Sequence, residues 1–368
     1  MVSNKVLCGL VFIAVSIMLV TAGCAEKAVE TVSKPQQEAA KPMAQAAPAA
    51  AEPNKVAPVA EPNKPQPAKV GAVRVALMPH QDDLTTYKVI TESRRTIGWE
   101  GSVPDKQTFK ENRNESRIEL VYTQRIMAAD PQGRAAAQIT IKSLKCTSVL
   151  KNETRVDFDS SRPADANNPL AKIIGQSYAI EFTPDNRVPT VFDLATGRTA
   201  VGGVSDASQM GLKILSPEVI QERHGTLSLP AAGEDLLAQG DKWKKIKTFS
   251  FGLMGVKSFE KIYTLSEVKG TGDRQVVSIE MNAIPTVQIE EHFIPEEKAG
   301  EFPKMFDSTD SYKGQAVVDL TTGWIDKCRE EMRVSWVAAL PAEENDPNKG
   351  PVVLQMSESR IYDLERVH

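Results

Sequence analysis

Histidine is scarce in this chain of 368 residues: there are four, His80, His224, His292 and His368, and no two lie close together. That leaves little raw material for a metal centre, and neither a metal site nor a cofactor is expected. Basic residues show no surplus, with 44 Lys and Arg against 48 Asp and Glu, so bulk charge gives no reason to expect a nucleic-acid partner. Four cysteines are too few for a disulfide-built miniprotein. No G-x-S-x-G, H-E-x-x-H or C-x-x-C occurs, so no catalytic residue is nominated and the chain is not expected to be an enzyme. Asp307, Ser308 and Asp310 cluster but lack the spacing of a calcium loop. His224 falls at the end of a helical signal, where an imidazolium would suit the C-terminal dipole, and His292 lies beside Glu290 and Glu291.

What is present begins with an address. Lys5 precedes an apolar run from Val6 to Val20 and then Thr21-Ala22-Gly23-Cys24, the layout of a cleavable export signal. Its end resembles the bacterial lipobox, with Thr21 where Leu is usual. The resemblance implies cleavage before Cys24, a diacylglyceryl group on its sulfur and an acyl chain (palmitate or similar) on the new amino terminus. An uncleaved anchor helix over Val6 to Ala25 is the alternative, since roughly 20 apolar residues span a bilayer. Ala25, where an inner-membrane retention signal would have Asp, favours the outer membrane facing the periplasm.

Residues 24–70 then read as a tether. Positions 25–70 hold eight prolines, no glycine and no aromatic residue, and AEPNK occurs at Ala51 to Lys55 and again at Ala60 to Lys64. Such a segment buries too little apolar surface to offset its ordering entropy. The acidic stretch Glu343, Glu344, Asp346 with Pro347 and Gly350 reads as a solvated turn between the last two strands.

Residues 71–368 form the folded part, and its pattern has period two. Tyr87, Val89, Ile97 and Trp99 share one parity, with Lys88, Glu92 and Arg94 on the other. The same alternation runs through Ile118, Leu120, Tyr122 and Ile126; Tyr178, Ile180 and Phe182; Phe259, Tyr263 and Leu265; and Val277, Ile279 and Met281. In 324–336, Trp324, Cys328, Met332, Val334 and Trp336 share a face that Asp326 and Glu330 interrupt. Long strands with one charged face predict a mostly β fold: a large, curved antiparallel sheet, open and half-barrel-like, with a few short helices covering it. Helix starts are signalled at Ser216-Pro217-Glu218, at Ser205-Asp206 and, more weakly, at Asn168-Pro169.

Two echoes raise the option of two similar halves, 71–230 and 231–368. Asp193-Leu194-Ala195-Thr196-Gly197 recurs as Asp319-Leu320-Thr321-Thr322-Gly323, and Phe158-Asp159-Ser160-Ser161 as Phe306-Asp307-Ser308-Thr309. Each D-L-x-T-G is expected to be a hairpin turn. FDSS at Phe158, IIGQSYAIEFTPDNRV from Ile173, GDKW from Gly240 and GQAVVDLTTG from Gly314 together resemble a group of bacterial envelope lipoproteins of unknown function. The resemblance implies an exported half-barrel similar in style to periplasmic lipoprotein carriers, and no catalytic residues.

Once Cys24 carries lipid, Cys146 and Cys328 remain in an oxidising compartment as a candidate disulfide, against the alternative of two separate buried thiols. Two functions then compete. One is a membrane-anchored, non-catalytic module that binds or carries a lipid or acyl ligand on a concave apolar face formed by Trp324, Met332, Trp336, Tyr122, Tyr178 and Phe182. The other is a structural or interaction module that docks an envelope protein or cell-wall polymer through its outer face or a free sheet edge.

Overall fold

The alternating segments become twelve strands of a single sheet in the computed structural model, which describes residues 71–100, 111–188, 190–230, 236–270, 274–291, 293, 302–340 and 352–367. The signal peptide, Cys24, the tether, His292, the 343–350 turn and His368 lie outside the described residues. All described residues belong to one compact unit, Pro65–His368.

The first six strands are β1 (Leu84–Glu100), β2 (Glu111–Ala129), β3 (Ala135–Leu150), β4 (Glu153–Asp159), β5 (Ser177–Phe182) and β6 (Thr190–Phe192). The second six are β7 (Lys242–Ser250), β8 (Val256–Lys269), β9 (Val276–Thr286), β10 (Asp307–Asp319), β11 (Trp324–Leu340) and β12 (Val352–Val367). Their order is β6-β5-β3-β2-β1-β12-β11-β10-β9-β8-β7, with β4 beside β3, and every pairing is antiparallel. The chain runs outward from the centre along one half and returns from the far edge along the other, so β1 and β12 close the seam, Thr86 opposite Val367 through Glu100 opposite Val353. The expected curved, open sheet is therefore the one that forms. Neither edge is an easy template for another strand: β6 has 3 residues, and β7 carries Lys242, Lys244, Lys245 and Lys247.

Alternation sorts the two faces. The outer face carries cross-strand ion pairs such as Lys88 to Glu119 at 2.9 Å, Arg94 to Glu115 at 3.1 Å and Lys327 to Glu365 at 2.9 Å. The inner face carries the apolar set, and a layer of short helices covers much of it. These are α1 (Ala195–Val201), α2 (Asp206–Ile214), α3 (Pro217–His224) and the 3-10 turn Pro169–Ile173, with Leu170, Ile173, Val201, Ile214 and Ile220 fully buried. The signalled caps form: Ser205 Oγ accepts from Ser208 N, Ser216 Oγ from Val219 N and Asn168 Oδ1 from Leu170 N. An N-terminal segment with Val73, Val75 and Leu77 buried completes this cover.

The two D-L-x-T-G copies differ. Asp319 accepts from the amides of Thr321 and Thr322, and Gly323 takes φ 68° to turn β10 into β11. A side chain at Gly323 would also strike the Met78 backbone at 2.6 Å. The first copy instead leads from Asp193 into α1, a helix where the second copy has a strand. The FDSS echo likewise falls at the end of β4 and at the start of β10, so neither echo occupies equivalent positions in the two halves.

Candidate binding site

The inner face holds two apolar clusters. The larger, under the helices, includes Tyr122, Tyr178, Phe182 and Trp324; the smaller consists of Phe251, Met254, Phe259, Met332, Val334 and Trp336. The six residues nominated as an apolar ligand face are divided between these clusters, each at most 7% exposed, and are packed as core. The cavity beside Tyr122, Phe182 and Trp324 measures about 30 Å3, room for about one water. Among the described residues, the 3-10 turns Gly252–Met254 and Phe302–Met305 border the smaller cluster.

The candidate disulfide does not form. Cys146 on β3 and Cys328 on β11 are both free and buried, with β2, β1 and β12 between their strands. Each thiol is a small apolar side chain in the core, and burial pushes the Cys146 thiol up to about 11. His224 ends α3 as expected, but not as a cation. Burial, with Arg223 beside it, holds its pKa well below the ordinary value. The neutral ring sits between two phenols, its Nε2 2.9 Å from the Tyr178 hydroxyl and its Nδ1 3.5 Å from that of Tyr122. Arg223 bonds the same Tyr178 hydroxyl at 3.3 Å, and Tyr362 donates to the Arg223 carbonyl at 2.7 Å, so this cluster ties α3 to β2, β5 and β12. Around Asp307, Ser308 and Asp310 the cation is a lysine: Lys257 Nζ bonds Asp310 at 2.7 and 2.9 Å and Ser308 at 2.8 Å.

A polar belt separates the two clusters. At one end Lys261 on β8 meets Glu330 on β11 at 2.8 and 3.0 Å, across the two intervening strands. Gly314 on β10 makes this reach feasible, since a Cβ there would come within 2.9 Å of Met281 Cε and 3.3 Å of Glu330 Cγ. Burial acts to lower the Lys261 pKa, but Glu330 with Tyr263 and Tyr312 outweighs it, and the ammonium is held charged. In the middle Glu358, 3% exposed, accepts from Arg95 Nε at 2.9 Å and from Arg360 Nε at 2.8 Å. Arg360 also donates to the Ser250 carbonyl at 2.8 Å and lies over the rings of Phe249 and Phe251.

At its other end the belt is open. Ser93 on β1 faces Ser116 on β2, and Ser116 faces Ser148 on β3, a row of hydroxyls on the inner face. Small side chains here leave a groove of about 380 Å3, floored by these serines with Asn114 and Arg95 and walled by Asp206, Gln209, Met210 and Lys213 of α2. That volume lies in the range of small-molecule sites, about 300–1,000 Å3, whereas the interior cavity does not. Period-two alternation does not single these residues out. The available signal was polar residues in the apolar phase: Ser93 and Arg95 continue the parity of Tyr87 and Val89, and Asn114 and Ser116 that of Ile118 and Leu120.

Among the described residues no group of three or more His, Cys, Asp and Glu is placed to hold a metal, and no helix is long and apolar enough to cross a membrane. No known protein family matches the chain, and neither does any curated protein. Solved structures similar to it include these two. One, a structure of lipid–protein interactions in lipovitellin, has a TM-score of 0.36 and 11% identity over 77% of this chain, which spans 25% of that one. The other, DynF from the dynemicin biosynthesis pathway of Micromonospora chersina, has a TM-score of 0.16 and 8% identity, covering 83% of this chain and 91% of that one. Likenesses this distant assign neither a function nor a residue to the chain.

Proposed function

We propose that the protein is a lipid-anchored, non-catalytic binding module of the bacterial envelope that takes a polar partner in the groove at the open end of the belt. The anchor reading rests on the apolar run and Thr21-Ala22-Gly23-Cys24, and the tether reading on the composition of 24–70. One observation carries the binding reading: a groove of about 380 Å3 on the inner face is lined mostly by polar and charged residues, while the cavity beside Tyr122, Phe182 and Trp324 measures about 30 Å3. This favours docking of a cell-wall polymer or similar envelope component over carriage of an acyl chain. Strand addition is disfavoured by the short and lysine-rich edges. The non-catalytic reading is supported by the state of the titratable groups: Glu358 is held by two arginines, and His224 is sealed between phenols.

A second reading has its own support. The smaller cluster, rich in Phe, Met and Trp and bordered among the described residues by short 3-10 turns, is the part of the inner face where a hydrophobic ligand could displace its cover. Lipid extraction of the full chain purified from membranes, followed by mass spectrometry, separates the two. Polar docking expects the covalent acyl groups on Cys24 and no free lipid in stoichiometric amount. One free fatty acid or phospholipid per chain would transfer the assignment to the smaller cluster.

A further inference from the structure

The donors, acceptors and charges of the groove narrow the class of its ligand. The serine hydroxyls both donate and accept, and Asn114 and Gln209 add an amide each, with Asn114 Oδ1 already accepting from Lys151 N at 2.8 Å and Gln209 Nε2 already donating to the Gly203 carbonyl at 2.9 Å. The charges are balanced, Arg95 and Lys213 against Asp206 and Glu358, with Arg155 and Glu115 of the outer face bordering the groove. Most are also committed: Arg95 to Glu358, Arg155 to Glu153 at 2.7 Å, and Glu115 to Arg94 and Arg113. A polyanion would thus meet as many carboxylates as cations. A bare acyl chain would strip water from hydroxyls and amides without replacing their hydrogen bonds, which is costly. The remaining wall is apolar, with Leu150, Val156 and Met210 suited to C–H faces and methyl groups.

We propose that the groove binds a neutral saccharide segment bearing acylamino substituents, its hydroxyls over Ser93, Ser116 and Ser148 and its acyl methyls against Leu150, Val156 and Met210. This deepens the polar-docking reading and depends on it. Recognition through neutral hydrogen bonds makes the affinity nearly independent of added salt, unlike a charge-driven contact.

The test is titration calorimetry of the full chain in detergent with the β-1,4-linked tetramer of N-acetylglucosamine, and with the glucose tetramer that lacks acylamino groups. The expected result is binding of the acetylated tetramer, weaker binding of the other, and a loss of roughly tenfold or more in Ser116→Leu, which fills the floor. Ser148→Leu repeats the test on a third strand, and circular dichroism with thermal melting confirms that each variant is folded. Binding that both folded variants retain overturns the placement. Failure of the wild-type chain to bind the acetylated tetramer overturns the saccharide class. The two readings fail separately: stoichiometric free lipid in the extraction experiment removes the polar-docking reading itself.

Discussion

Lys261 with Glu330, and Ser93 with Ser116 and Ser148, belong to one polar belt across the inner face, yet its two ends are built for different tasks. At the first, each charge meets its opposite in a dry setting, with Lys261 over the rings of Tyr263 and Tyr312 and also reaching the Thr226 carbonyl at 3.4 Å. At the second, short hydroxyl side chains face open space. Polar residues in an apolar phase thus carry two meanings, and charge pairing tells them apart: the end where lysine meets glutamate is structural, and the end whose hydroxyls line a groove is the one we propose a partner enters.

The largest expected effect breaks the sealed end. Lys261→Met leaves the Glu330 carboxylate buried without its partner and should cost about 3–5 kcal/mol in urea denaturation, while Lys261→Met with Glu330→Met should recover most of that loss. If the double variant were as unstable as the single one, the pair would not be acting as a unit. The middle of the belt should respond less. Arg95→Met leaves Glu358 still bonded to Arg360, and about 1–3 kcal/mol is expected by the same measurement.

The pH dependence of stability probes the helix cover beside the belt. The His224 pKa is depressed in the folded state, so the unfolded chain binds the proton more readily. Its contribution is fully present above the unfolded value, about 6.5, and is lost as pH falls from there toward the folded pKa. Thermal melts of His224→Gln should therefore fall less steeply below pH about 6.5 than those of the wild-type chain. Equal slopes would show that another group governs the acid limb. The smallest effect on stability belongs to the open end: Ser116→Leu should shift it by only about 0.5 kcal/mol, whatever it does to binding.

Much of this architecture is legible in the sequence because strand burial has period two. Tyr87, Val89, Leu120, Tyr263, Ile279 and Val334 are all buried on the phase that alternation assigns them. Helix starts are legible at Ser205 and Ser216 because a cap is a local interaction within three residues. The fate of Asp193-Leu194-Ala195-Thr196-Gly197 is not, since the same turn chemistry can lead into a strand or a helix and the next segment decides. Pairing of Cys146 with Cys328 was equally out of reach, as sequence gives no distance between strands that three others separate. The groove is half-legible. Its residues stand out as polar interruptions, like Asp326 and Glu330, but only the fold shows that Glu330 finds Lys261 while Ser116 finds open space.

We propose that the open end of the belt, and not the apolar interior, meets the partner. Photo-crosslinking in intact cells addresses it directly, with a photoreactive residue placed at Ser116 in one strain and at Met305, exposed on the turn over the smaller cluster, in another. A saccharide-containing adduct is expected from position 116 and none from 305. Lipid adducts from 305, with nothing from 116, would contradict it.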